Sequence, residues 1–202
     1  VETRSFGLTN IIMANSPQDN LQYSFILPIY NEEETLPELY TRMKTFIDRL
    51  DGPSEVILIN DGSKDNSYRL MMDIHKKDAR FKILNFSRNF GHQIAISAGM
   101  DYATGKATII MDADLQDPPE VVEQMIAKWK EGYEIVYAVR QEREGETAFK
   151  RLTAAAFYRF FNKLTEIEIP MDVGDFRLVD RKALNAFKAL HERNRYVRGM
   201  FS

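Results

Sequence analysis

Two carboxylates one residue apart, Asp112 and Asp114, follow directly on the short apolar run Ile109, Ile110 and Met111. That run comes after the turn signal Thr104-Gly105-Lys106 and predicts a strand buried on both faces. Both aspartates therefore fall where the strand ends. Two anionic groups this close are unfavourable unless a cation shares them. Asp117 then precedes Pro118 and Pro119, the order of a helix N-cap followed by helix-starting prolines. Strand, acidic turn and helix place the pair at the carboxyl edge of a sheet, where open α/β sheets bind ligands. Taken alone, Asp112 and Asp114 read equally as turn formers on a solvated loop.

The elements that would position them are legible along the chain. Strands are predicted over 23–28, 55–60, 81–86 and 134–139, besides the one ending at Asp112. Helices are predicted from the first turn to about residue 50, then to residue 77, over 94–103 and over 118–131. Leu36, Leu39, Tyr40, Met43, Phe46, Ile47 and Leu50 recur at helical spacing, and Asn31 with Glu34 has capping-box spacing for that helix. Strands alternating with helices at this pitch mean βαβ units and a mostly parallel sheet. The first βα turn contains no glycine, which disfavours a dinucleotide-binding fingerprint.

Polar or acidic clusters follow four successive strands, at 30–34, 60–65, 87–92 and 112–117. Four loops on one edge of one sheet make a single cleft, and this convergence is the strongest internal argument for a site. Asp61-Gly62 by itself reads as a tight turn. His92, at a helix start, reads either as a ligand contact or as a satisfied polar group.

Composition bounds the rest. At 202 residues, 44% hydrophobic and 28% charged, the chain is long and apolar enough for one large domain with a substantial core. A formal net charge of −3 gives no whole-chain reason to expect nucleic acid. The absence of cysteine rules out a disulfide framework and thiolate metal ligands. No apolar run approaches the ~18 residues of a membrane span. Residues 1–22 read as an irregular leader, in part an artificial extension, and the end at 195–202 stops without polar tapering, so the natural protein is expected to continue.

Beyond Arg140 the character changes. Arg140, Arg143, Lys150, Arg151 and Arg159 alternate with Glu142, Glu144 and Glu146. A helix is predicted over 147–164, its aromatic stripe suiting either an ordinary core face or a face at a membrane surface. Residues 171–179 read as an acidic turn leading into an apolar piece, followed by a helix over 180–190.

Together these residues resemble a known family. Pro28-Ile29-Tyr30-Asn31-Glu32-Glu33, Asn60-Asp61-Gly62-Ser63-x-Asp65, Arg88-Asn89-x-Gly91, the run from Asp112 to Pro119, and Gly174-Asp175-Phe176-Arg177 occur in the order of the inverting GT-A glycosyltransferases of family 2. Within it the chain is most similar to the polyprenyl-phosphate glycosyltransferases, the group of dolichyl-phosphate mannose synthase and the bactoprenol glucosyl transferases. The resemblance implies an α/β, three-layer GT-A sandwich with a mostly parallel central sheet over 23–202. The nucleotide part is expected at about 23–117 and the acceptor part at about 118–202.

It also implies roles. Pro28, Tyr30, Glu32 and Asp61, with Arg88, Gly91 and Asp112, are expected around the nucleotide sugar. Asp114, Asp112 and Gln116 are expected at a Mg2+ or Mn2+ ion, which suits hard oxygen donors. Arg140, Lys150 and Arg151 resemble residues that grip the acceptor phosphate, since guanidinium forks match phosphate oxygens. Asp175 is expected to face the acceptor, as a base or as an orienting group for Arg177 or the sugar, so that Asp114, Asp175 and Arg140 form the catalytic set.

The implied reaction is metal-dependent, inverting transfer of a hexose, with glucose from UDP-glucose favoured, to a polyprenyl phosphate at the cytoplasmic face of the plasma membrane. Members of the bactoprenol type carry C-terminal transmembrane helices, so a longer protein is expected around this catalytic part. The oligomeric state stays open, a homo-oligomer included. Two rivals remain: a phosphohydrolase using Asp112 and Asp114, and a sugar-nucleotide binding module without turnover.

Overall fold

The structure, a computed structural model, describes residues 8–12, 20–116, 120–139 and 173–189. Its strands are β1 (Leu8–Ile12), β2 (Tyr23–Ile29), β3 (Ser54–Asn60), β4 (Phe81–Phe86), β5 (Ala107–Ile110), β6 (Ile135–Val139) and β7 (Val173–Asp180). Its helices are α1 (Leu36–Ile47), α2 (Ser67–Lys77), α3 (His92–Tyr102), α4 (Val121–Lys130) and α5 (Arg181–Ala189). The strands form one sheet in the order β1-β4-β3-β2-β5-β7-β6. β2 pairs in parallel with β3 and β5, and β3 with β4. β1 and β7 run antiparallel to their neighbours.

The layers follow from the alternation of side chains along β2. Phe25, Leu27 and Ile29 pack with Leu36, Leu39, Met43 and Phe46 of α1, Met71 of α2 and Val122 of α4. Ile26 points to the other face, where Ile57, Ile59 and Leu84 meet α3 and α5 through Ile96, Met100, Leu184 and Phe187. Each large apolar side chain buried this way contributes about 1.5–3 kcal/mol. On α3 close approach matters as much as area. A Cβ on Gly99 would lie 2.5 Å from Cγ2 of Ile26, so the small-residue helix seats directly on β2.

The amino-terminal ends of the strands are locked by a buried polar knot. Glu55 and Lys82 form an ion pair at 2.6 Å, and Glu55 Oε1 also accepts from Ser24 Oγ at 2.5 Å and from Thr104 N and Oγ1 at 2.9 Å. Arg181 closes the same end through Nε to the Gly105 carbonyl at 2.9 Å and Nη1 to that of Ala103 at 3.0 Å. Fixing the strand starts fixes the register of the strand ends, where the candidate site lies.

Three expectations are corrected. The leader is not wholly irregular: residues 8–12 add a strand to the edge of β4, with a register shift between Leu8 and Asn10. Such edge pairing is a tertiary event that local composition does not announce. Residues 171–179 do not hold a turn through Asp175, because β7 runs from Val173 and inserts antiparallel between β5 and β6. Gly174 and Asp175 are turn formers by type, and they hide a strand whose Phe176 and Leu178 join one core while Val179 joins the other. Finally, Asn31 does not cap α1. The N-cap is Thr35, while Asn31 has φ +56° and its Oδ1 accepts from Lys64 N at 2.8 Å.

Candidate functional site

At the carboxyl ends of β2 to β5 lies a cleft of about 330 Å³. Pro28, Tyr30 and Glu32 line it from the β2 side, Asp61 from β3, Asn89, Gly91 and His92 from the turn after β4, and Asp112, Ala113 and Asp114 from the end of β5. Seven of the residues expected around the nucleotide and metal are thus brought together: Pro28, Tyr30, Glu32, Asp61, Gly91, Asp112 and Asp114. Tyr30 leaves 41% of its surface exposed, so a large aromatic face stands open at the rim.

Reciprocal hydrogen bonds make the first two loops one unit. Asn31 N donates to Ser63 Oγ at 3.0 Å, Glu32 N to Ser67 Oγ at 2.8 Å and Glu33 N to Asp65 Oδ2 at 3.1 Å. In return Asn66 N donates to Glu33 Oε2 at 2.9 Å. Thr35 Oγ1 donates to Glu32 Oε2 at 2.6 Å, which orients that carboxylate beside the cleft.

The third loop is tied to the second by Asp61. Its Oδ1 accepts from Phe90 N at 2.7 Å and its Oδ2 from Gly91 N at 3.0 Å. Burial pushes the Asp61 carboxyl above the usual carboxylate range, against the two backbone donors that favour its charged form. Gly62, at φ +69°, packs against the Arg88–Asn89 peptide so tightly that a Cβ would sit 2.4 Å from Arg88 C and Asn89 N. Asp61-Gly62 is therefore more than a tight turn.

The acidic loop after β5 keeps sheet register for one further residue, because Met111 N donates to the Ile26 carbonyl at 3.1 Å. Ala113 is then buried while Asp114 is exposed. Leu115 turns the chain with φ +60°, and Gln116 N donates to Asp114 Oδ1 at 3.0 Å. Among the described residues no group of three His, Cys, Asp or Glu side chains is arranged for a metal. Two carboxylates at an open cleft still fit Mg2+ or Mn2+, which hold one or two protein carboxylates and take their remaining oxygens from phosphate and water.

Beside Asp112 lies a second group on α3 and β7. Asp175, 6% exposed, and Arg177, fully buried, share an ion pair with Arg177 Nη2 3.4 Å from Asp175 Oδ1. The guanidinium also lies over the Tyr137 ring, 5.2 Å from its centroid. His92 Nε2 is 3.2 Å from Asp175 Oδ2 and 3.5 Å from Asp112 Oδ1. Gln93 Nε2 donates to the same Asp175 oxygen at 3.3 Å.

Not every expected residue reaches the cleft wall. Arg88 is exposed and stacks on Phe90 at 4.9 Å, and its neighbours Asn89 and Gly91 line the cleft instead. Gln116 is exposed beyond the turn. Arg140, Lys150, Arg151 and Asp117 lie outside the described residues, as does the predicted 147–164 helix. Sequence reasoning quoted Asn89 within the Arg88-Asn89-x-Gly91 motif without giving it a role, and it passed over Gln93, the second residue of α3.

A predominantly parallel sheet between two helical layers, with an Asp-x-Asp turn opening on a polar cleft at its carboxyl edge, defines the GT-A class of nucleotide-sugar-dependent folds. The chain belongs to glycosyl transferase family 2, whose family model matches residues 24–187, and the resemblance read from its motifs is borne out. It is 55% identical over 183 residues to the uncharacterized glycosyltransferase YkcC of Bacillus subtilis, covering 91% of this chain and 57% of that protein. It is 39% identical over 182 residues to a bactoprenol glucosyl transferase of Shigella phage SfX, covering 90% and 60%. The chain thus spans less than two thirds of these relatives. Its fold is similar to that of the mannosyltransferase PcManGT of Pyrobaculum calidifontis, solved with GDP-Man and Mn2+, with a TM-score of 0.58 at 18% identity over 87% of this chain and 49% of that one.

Proposed function

We propose that the chain transfers a hexose, with glucose from UDP-glucose favoured, to a polyprenyl phosphate at the cytoplasmic face of the plasma membrane, inverting the anomeric carbon. The observation that carries this reading is the meeting of Asp112 and Asp114 with Pro28, Tyr30, Glu32 and Asp61 in one cleft. Family membership and the bactoprenol glucosyl transferase at 39% identity support the choice of reaction and acceptor. They favour sugar transfer over phosphoester hydrolysis.

In this reading the base and ribose lie against Pro28, Tyr30, Glu32 and Asp61, with Asn89 and Gly91 closing the third side. Asp112 and Asp114 would hold Mg2+ or Mn2+, with Gln116 as the further candidate near the ion. When bound, that cation supplies positive charge to the diphosphate as it leaves. Arg140, Lys150 and Arg151 grip the acceptor phosphate.

A lipid phosphate oxygen forms the new bond to the anomeric carbon as the bond to the nucleotide breaks, and the electron pair leaves on the diphosphate. A phosphate monoester has a second pKa near about 6, so it is mostly a dianion at neutral pH and needs little help from a base. Held by Arg177, Asp175 acts chiefly as an orienting carboxylate. Among the described residues no helix is long and apolar enough to cross a membrane.

The test is to incubate the full-length enzyme in membranes with Mg2+, polyprenyl phosphate and, separately, radiolabelled UDP-glucose, GDP-mannose or UDP-N-acetylglucosamine. Label entering the organic phase from UDP-glucose supports the reading. Transfer from another donor replaces the sugar. Nucleotide binding without transfer favours the binding module, and free phosphate released from a monoester favours the hydrolase.

A further inference from the structure

His92 stands between the two halves of the site. It opens α3 directly after Gly91, whose φ of +100° turns the chain into the helix. Its side chain keeps 43% of its surface exposed, so it is not a core group satisfying itself. One ring nitrogen, Nε2, faces two carboxylates on different strands: Asp175 Oδ2 at 3.2 Å on β7 and Asp112 Oδ1 at 3.5 Å just past β5.

Extending the β5/β7 register two residues beyond the Ile110↔Arg177 pair sets Asp112 opposite Asp175. Asp112 lies just past the end of that ladder, and both carboxylates come within 3.5 Å of the same ring nitrogen. Ionised carboxylates only accept hydrogen bonds, so Nε2 serves them as a donor in the tautomer that carries its hydrogen there. A single N–H serves one carboxylate fully at a time.

We propose that His92 is a positioning residue that fixes Asp175 for the transfer step and, through the same N–H, links that carboxylate to Asp112. This rests on the reading of Asp112 as part of the nucleotide side and Asp175 as part of the acceptor side. Arg177 holds one oxygen of Asp175 from the buried side, at 3.4 Å. His92, which lines the cleft, and Gln93 beside it hold the other, at 3.2 and 3.3 Å. Contacts at both oxygens restrict rotation of the carboxylate.

Were Asp112 engaged by a donor-bound cation, the His92 N–H would be left to Asp175, and donor loading would sharpen the acceptor side. Loss of the imidazole removes one of the two donors to Asp175 Oδ2 and the ring nitrogen that stands within reach of both Asp175 and Asp112. Misplacing a positioned group costs rate more than it costs substrate binding.

The experiment combines kinetics and spectroscopy on the full chain. His92→Ala is expected to lower kcat on the order of tenfold to a hundredfold, the usual effect of removing an outer partner of a positioned ligand, with the donor KM changed by less than about threefold. His92→Gln, whose amide keeps a donor at similar reach, is expected to recover part of that loss. In a cycle with Asp175→Asn, the double variant is expected to be no slower than Asp175→Asn alone, because His92 acts through Asp175.

Additive losses, or an unaltered kcat in His92→Ala, overturn the proposal. Independently of turnover, NMR of the histidine ring nitrogens, with His92 assigned from His92→Gln, is expected to show Nε2 protonated and its resonance displaced in Asp175→Asn. An unprotonated Nε2 overturns the proposal even in an active enzyme. If the wild type transfers no glucose, the function proposed above fails and the ring-nitrogen measurement still decides the His92–Asp175 link.

Discussion

Asp61, at the end of β3, holds the amide of Gly91, at the start of α3, through Oδ2 at 3.0 Å. The other oxygen takes Phe90 N at 2.7 Å, so one side chain from the second loop shapes the third. Asp61→Asn would replace one of these acceptors by an amide NH2 donor facing an N–H and leave a backbone donor without its partner, at about 1–3 kcal/mol. The expected result is UDP binding weakened at least roughly tenfold with the fold retained, measured by calorimetric titration in the presence of Mn2+. Unchanged affinity would mean that the loop holds its shape without Asp61.

Gly62 and Gly91 separate sterics from conformation. Both have positive φ, but a Cβ on Gly62 would meet the Arg88–Asn89 peptide at 2.4 Å, whereas a Cβ on Gly91 meets nothing within 4 Å. Positive φ in a residue with a side chain costs about 1–3 kcal/mol. Gly91→Ala is expected to lose about that much stability, and Gly62→Ala distinctly more, since backbone cannot move aside as a flexible side chain can. Chemical denaturation of the two variants side by side checks the order, and equal losses would contradict the tight packing of the two loops.

The carboxylate pair predicts linkage between metal and nucleotide. A ligand at one hundred times its Kd stabilises a protein by about 2.7 kcal/mol. UDP with Mn2+ or Mg2+ is expected to raise the melting temperature of the wild type, and EDTA or Asp114→Ala is expected to abolish most of that rise. Thermal denaturation with and without the ion is the measurement. Protection by UDP that ignores both chelation and Asp114→Ala would remove the metal from the proposed mechanism.

The knot beneath the sheet sets an acid limit to stability. Burial alone would raise the Glu55 carboxyl, but the bonds from Lys82, Ser24 and Thr104 outweigh it and hold the group below the usual carboxylate range. A folded-state value below the unfolded one means the stabilisation is fully present above the ordinary glutamate value of about 4.3. It is lost as the pH falls from there through the folded value. Glu55→Gln strands the Lys82 ammonium in the interior at about 3–5 kcal/mol and should flatten that part of the acid profile, as followed by urea midpoints between about pH 3 and about pH 7.

What the chain alone determined is local. The runs at 23–28, 55–60 and 81–86 are apolar over strand lengths and fell within a residue of the observed β2, β3 and β4, because burial on both faces leaves a contiguous hydrophobic signature. Asp112, Asp114, Tyr30 and Asp61 were legible as residues of one cleft, because polar clusters after successive strands of a parallel sheet must share one edge.

Tertiary structure alone decided the rest. Strand β7 threads antiparallel between β5 and β6, and its Gly174-Asp175 start reads locally as a turn. The Asp61 clamp joins residues 29 and 30 positions apart, and the His92–Asp175 contact spans 83. Periodicity and propensity act over a few residues, whereas these bonds exist only because the sheet order brings distant strand ends together. Residue types announced the chemistry here, and strand order settled which carboxylates face one another.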